Sequence, residues 1–124
     1  MSHLPVAAAR VVETPAATMR TYASPTVGGG APVAVWRTEM APGAAGPVHV
    51  VDVDQVVVVV SGQLTAEVGG TAFVVPPGDS ALLPADAERR LTAGPDGLVT
   101  VTASLPGASA RVGAGDPVPV PWAS

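Results

Sequence analysis

Cysteine is absent from this 124-residue chain, so disulfides and thiolate metal sites are unavailable and cysteine usage says nothing about redox compartment. Lysine is missing as well: all six basic residues are arginine, set against ten acidic ones for a net charge of −4. With no basic cluster to neutralise phosphates, nucleic acid is excluded as an expected partner. No apolar run approaches the ~20 residues that a membrane-spanning helix needs, so no membrane partner is expected. The start, Met1 to Thr18, has no charged leader followed by a long apolar stretch. No signal peptide is read from it, and the expectation is a cytoplasmic protein. The length leaves room for one domain with a modest core.

Turn residues and valine supply what is there. Fourteen glycines and fourteen prolines punctuate a chain that is 48% hydrophobic and 13% charged, which reads as many short strands rather than disorder. Strands are predicted at Val6 to Val12, Thr18 to Ala23 and Val33 to Met40, with a glycine-rich loop over Ser24 to Pro32. Gly28 to Gly30 lack the lysine and following helix of a phosphate-binding loop. After the Pro42-Gly43 turn come His49 to Val53 and Gln55 to Val60. The latter holds five consecutive valines, the pattern of a strand apolar on both faces. A turn at Ser61-Gly62 is expected to lead into Leu64 to Val68, and a hairpin at Gly69-Gly70 into Thr71 to Val75. Ser80 to Leu83, Glu88 to Ala93 and Leu98 to Ser104 complete a set that favours a sandwich or barrel.

Gly43 to Gly62, GAAGPVHVVDVDQVVVVVSG, resembles the first motif of the cupin family, G-x5-H-x-H-x3-4-E-x6-G, with every spacing kept. His49 falls on the first histidine, Val51 on the second and Gln55 on the glutamate. Gly78 to Ala93, GDSALLPADAERRLTA, resembles the second motif, G-x5-P-x-G-x2-H-x3-N, with Asp86, Arg89 and Ala93 replacing its glycine, histidine and asparagine. The resemblance implies an all-β fold, the double-stranded jelly-roll β-barrel, with its pocket inside the wider end. It divides the chain into N-terminal strands and glycine-rich loop (1–32), barrel core (33–104) and an extended C-terminal tail (105–124), one domain in all. It further implies a homodimer, with the Val6 to Val12 segment suited to covering a partner's exposed edge.

In the family, three histidines and a glutamate converge on a divalent metal. Here one such ligand remains: valine cannot ligate, a glutamine carbonyl ligates poorly, and arginine repels a cation. Asp52 and Asp54 alternate onto the opposite face from His49. No metal and no other cofactor are therefore expected. Carried over by position, His49, Gln55 and Arg89 point inward as catalytic candidates, although the adjacent Arg90 leaves open which arginine does so. Arg89 suits a carboxylate, phosphate or enolate, and metal-free His49 suits acid–base work near neutrality. Trp36, Thr38 and Met40, with Val51, Val57, Val59 and Leu91, are expected to form a substrate-binding wall. Val118 to Trp122 must run extended, because proline restricts itself and its predecessor, and reads as a surface strap rather than a pocket element. The leading expectation is a metal-independent binder of an apolar small molecule bearing an anionic or carbonyl group, performing cyclisation, isomerisation or dehydration. The alternatives are a non-catalytic ligand-binding or sensor protein and a metal-dependent oxygenase with atypical ligands.

Overall fold

The computed structural model describes residues 2–124. Among the described residues ten strands carry the fold: β1 (Arg10–Glu13), β2 (Thr18–Ala23), β3 (Ala34–Met40), β4 (Val50–Val51), β5 (Gln55–Val68), β6 (Thr71–Val75), β7 (Ser80–Leu83), β8 (Arg89–Ser104), β9 (Ser109–Arg111) and β10 (Val118–Pro119). Single 3-10 turns lie at Val6–Ala8 and Pro121–Ala123. The long antiparallel strands β5 and β8 pair from Gln55↔Ser104 to Val68↔Arg89, with register shifts between Val59 and Ser61 and between Gly62 and Leu64. On one side of this break, β5 and β8 join β7, β3, β2 and β1 in one layer. On the other side they join β6, while bridges Ala45↔Thr92 and His49↔Arg89 link β8 to β4, β9 and β10. Val57, Val59 and Leu98 from the first half pack against Leu64, Ala66 and Ala93 from the second in one buried cluster. The core thus lies between the two layers.

Several sequence expectations change here. Ser61-Gly62 is no turn: the predicted strands on either side of it are one strand, β5, kinked by a bulge. Glu88 to Ala93 and Leu98 to Ser104 are likewise one strand, β8, beginning at Arg89. Gly62 takes a left-handed φ of 79°, and a Cβ built there would fall 2.1 Å from the Gly97 carbonyl oxygen. Only glycine permits that approach, so the kinks of β5 and β8 are set into one another. Strand pairing does not close into a barrel; among the described residues the larger sheet has the open order β1-β2-β3-β8-β5-β6, with β7 also on β5. The bulges send each long strand from one layer to the other, which leaves free edges instead of closure.

The start of the predicted Val6–Val12 strand is a 3-10 turn, and β1 pairs with β2 of its own chain. The valine run is buried on one face only: Val57 and Val59 point inward, whereas Val56, Val58 and Val60 are 40%, 39% and 50% exposed.

The C-terminal segment returns across β2 and is tied down through buried hydroxyls. Thr21 Oγ1 donates to the Trp122 carbonyl (2.7 Å) and Ser24 Oγ to the Ser124 carbonyl (2.7 Å), while Arg10 Nη1 donates to the Pro121 carbonyl (2.8 Å). Val120 and Ala123 are buried with Met19, Ala34, Trp36, Val51 and Ala108 in a second apolar cluster, against which Trp122 packs.

Candidate functional site

Between the layers lies a cavity of about 270 Å³ with almost wholly apolar walls. Strand alternation decides what faces it: Trp36, Thr38 and Met40 from β3, Gln55 and Val57 from β5, and Leu98, Thr100 and Thr102 from β8. His49, Val51 and Leu91 line it from the opposite layer. Of the residues expected from sequence, Val59 and Arg89 are buried but do not line it: Val59 packs in the core and Arg89 lies behind Gln55. The C-terminal segment overturns its reading as a surface strap. Val118 to Trp122 forms part of the cavity wall, with Val120 buried in the cluster of Met19, Trp36 and Val51. Thr100, Thr102, Leu83, Leu98 and Met19 were not anticipated either. The signal for the β8 group was the alternation of Leu98, Thr100, Thr102 and Ser104, whose inward direction only the pairing with Trp36 reveals.

His49 is held by backbone bonds on both sides of its bridge to Arg89: its N–H donates to the Arg89 carbonyl (2.9 Å) and it accepts the Arg89 N–H (2.8 Å). Its ring Nδ1 is 2.9 Å from the Pro47 carbonyl oxygen. A carbonyl can only accept, so Nδ1 carries the proton and Nε2 keeps a free lone pair. Burial lowers the pKa of this imidazole below the ordinary 6.5; the Pro47 bond opposes that shift and the nearby Arg89 cation adds to it. The net effect favours the neutral ring.

Arg89 is 1% exposed and turned inward, whereas Arg90 is exposed. Its Nε donates to the Ala87 carbonyl (3.1 Å), its Nη2 to the Pro84 carbonyl and its Nη1 to Gln55 Oε1 (3.4 Å). Burial lowers its pKa, opposed by the fields of Asp54 and Asp86. Asp54 and Asp52 themselves serve loops, accepting the Ala85 N–H (2.7 Å) and the Ser109 N–H (2.8 Å). Asp86 adopts a left-handed φ of 65°, which explains the glycine of the matching motif position, since aspartate is among the few other residues that tolerate it. Gln55 is 6% exposed. A guanidinium only donates, so the Gln55 oxygen faces Arg89 and its Nε2, without a protein partner, opens onto the cavity.

The four motif positions do not fit a divalent cation. They offer one imidazole nitrogen, a valine, an amide oxygen already held by a cation, and that cation itself. Among the described residues no group of three His, Asp or Glu side chains converges anywhere.

A two-layered β fold with bent strands, enclosing an apolar cavity lined by His49, Val51 and Gln55 of the motif positions, defines a small all-β domain. The chain belongs to the cupin family, whose Cupin domain matches residues 36–104. Among solved structures it resembles an RmlC-like cupin from Shewanella frigidimarina (20% identity, 78% of this chain and 83% of that one, TM-score 0.66). A cupin-2 domain from Rhodospirillum rubrum is similar over 96% of this chain and 78% of its own (16% identity, TM-score 0.72). A sugar phosphate isomerase of the cupin superfamily from Silicibacter pomeroyi matches at 20% identity over 79% and 67% (TM-score 0.63). No curated protein matches. Among the described residues no helix is long and apolar enough to cross a membrane.

Proposed function

We propose that this cupin binds a largely apolar, uncharged carbonyl compound and moves a proton on it without a metal ion. The observation that carries the reading is the contact of His49 Nδ1 with the Pro47 carbonyl, which leaves Nε2 as the basic nitrogen of a ring lining an apolar cavity that Gln55 also lines. A neutral imidazole with a lowered pKa is a competent general base near pH 7. Nε2 takes a proton from the carbon next to the carbonyl, the released electron pair forms a C=C bond, and the carbonyl oxygen becomes an enolate that accepts from Gln55 Nε2. Returning the proton to another carbon completes an isomerisation. Expelling a β-hydroxyl as water completes a dehydration, and attack on a second carbonyl completes a cyclisation. Arg89 holds the amide in the donating orientation. The carbonyl is favoured over an anion because each guanidinium nitrogen already donates to Ala87, Pro84 or Gln55 and the side chain does not line the cavity. A buried anion would lack a contacting counter-charge.

The test is deuterium wash-in from D2O at the α-CH2 of 1-tetralone, a neutral bicyclic ketone, followed by NMR. Exchange is expected well above buffer background and roughly a hundredfold slower in His49→Ala, the usual scale of a general base. A ketone that binds without enhanced exchange would leave a non-catalytic binding protein as the correct reading.

A further inference from the structure

The β8 segment Leu98 to Ser104 places its residues against the usual rule. Valines Val99 and Val101 face outward, while the threonines Thr100 and Thr102 face the interior at 4% and 5% exposure. Polar residues at core positions are expected to have a use. The other inward hydroxyls nearby are accounted for: Thr21 holds the Trp122 carbonyl, and Ser104 donates to the Leu105 carbonyl (3.0 Å). Thr100 and Thr102 bond to no protein group, yet every side-chain N or O sealed from solvent has a partner. Their hydroxyls are therefore reached through the cavity that both residues line. Thr38 lies directly opposite Thr100 on β3, so three hydroxyls form one strip on an otherwise apolar floor. No aspartate, glutamate or arginine lines the cavity with them.

We propose that Thr38, Thr100 and Thr102 form an oxygen-recognition subsite. The cavity then takes an uncharged, apolar-bodied molecule with two oxygen functions, a carbonyl at His49 and Gln55 and a hydroxyl or second carbonyl at the threonine strip. The carbonyl end rests on the function proposed above; the threonine end stands on its own unpartnered hydroxyls. A pocket built to bond a hydroxyl discriminates against the analogue lacking it, since its polar groups are then left unpaired.

Calorimetric titration of the full chain with 1-tetralone, its 5-, 6- and 7-hydroxy derivatives and 1-naphthoate tests this. At least one hydroxytetralone is expected to bind about tenfold more tightly than 1-tetralone. The double variant Thr100→Val, Thr102→Val is isosteric, so it should erase that preference and keep the affinity for 1-tetralone within about twofold. The preference should persist in His49→Ala, which separates this subsite from the proton-transfer reading. The subsite is refuted if no hydroxyl isomer gains over the parent ketone, if the gain survives the double variant, if naphthoate binds best, or if none of the probes binds.

Discussion

Replacing Arg89 by methionine removes a cation that three backbone and side-chain acceptors share. The part-buried Ala87 and Pro84 carbonyls and the buried Gln55 Oε1 each lose their donor. An unmet buried acceptor costs about 1–3 kcal/mol. Against this, methionine fills much of the same volume and relieves the desolvation of the guanidinium, a penalty of several kcal/mol that Asp54 and Asp86 only partly offset. The balance is a loss of about 3 kcal/mol, at the lower end of what breaking a buried charged network costs. In urea unfolding this lowers the midpoint by roughly 1.5 M with an unchanged slope, and melting falls by roughly 10 °C. Arg89→Lys should recover little, because an ammonium on a flexible stem cannot reach three acceptors set around a planar fork. Stability within about 0.5 kcal/mol of wild type in Arg89→Met, or full recovery by lysine, would refute the placement of the guanidinium.

Two further outcomes follow from the same geometry. His49 has a folded-state pKa below its ordinary 6.5, so its neutral form stabilises the fold fully above about pH 6.5, and that contribution is lost as pH falls through the folded pKa. Urea midpoints across pH 4 to 8 should show this acid-side loss in the wild type and not in His49→Gln, with NMR of the imidazole nitrogens reporting the Nδ1–H tautomer. Gly62→Ala would drive a Cβ into the Gly97 carbonyl, costing about 3 kcal/mol or more. Gly70→Ala, also left-handed but with open space around it, should cost about 1 kcal/mol in the same melts, and equal losses would contradict the interlocked kinks.

The family, the strand content and the position of His49 were legible because they rest on local spacing: motif glycines, prolines and alternation survive without knowledge of distant partners. The structure departs from the sequence reading where long-range pairing decides. Ser61-Gly62 carries the same residues in a turn as in a bulge, and only the pairing of Val59 with Thr100 and Leu64 with Ala93 shows that the strand continues. Val99 to Thr102 alternates two residue types that both favour strands, so the sequence does not say which set faces inward. For Val118 to Trp122, proline fixes an extended path but not the surface it crosses; the buried hydroxyls of Thr21 and Ser24, a hundred residues earlier, fix that. Asp86, standing where the motif has glycine, is explained by a backbone angle that composition does not record.

The kinks at Gly62 and Gly97 also reset a reading frame. Before its bulge β5 turns odd-numbered residues inward, Gln55, Val57 and Val59, and after it even-numbered ones, Leu64 and Ala66. In β8 the same switch occurs, with odd-numbered Arg89 and Ala93 inward first and then even-numbered Leu98, Thr100, Thr102 and Ser104. A one-residue deletion within Gly94 to Gly97 therefore acts as a frameshift in side-chain space. It would exchange threonine for valine along the β8 wall of the cavity and leave His49, Gln55 and Arg89 in phase. The threonine wall and the motif residues are coded separately, and loop length at a single bend is enough to rewrite one of them.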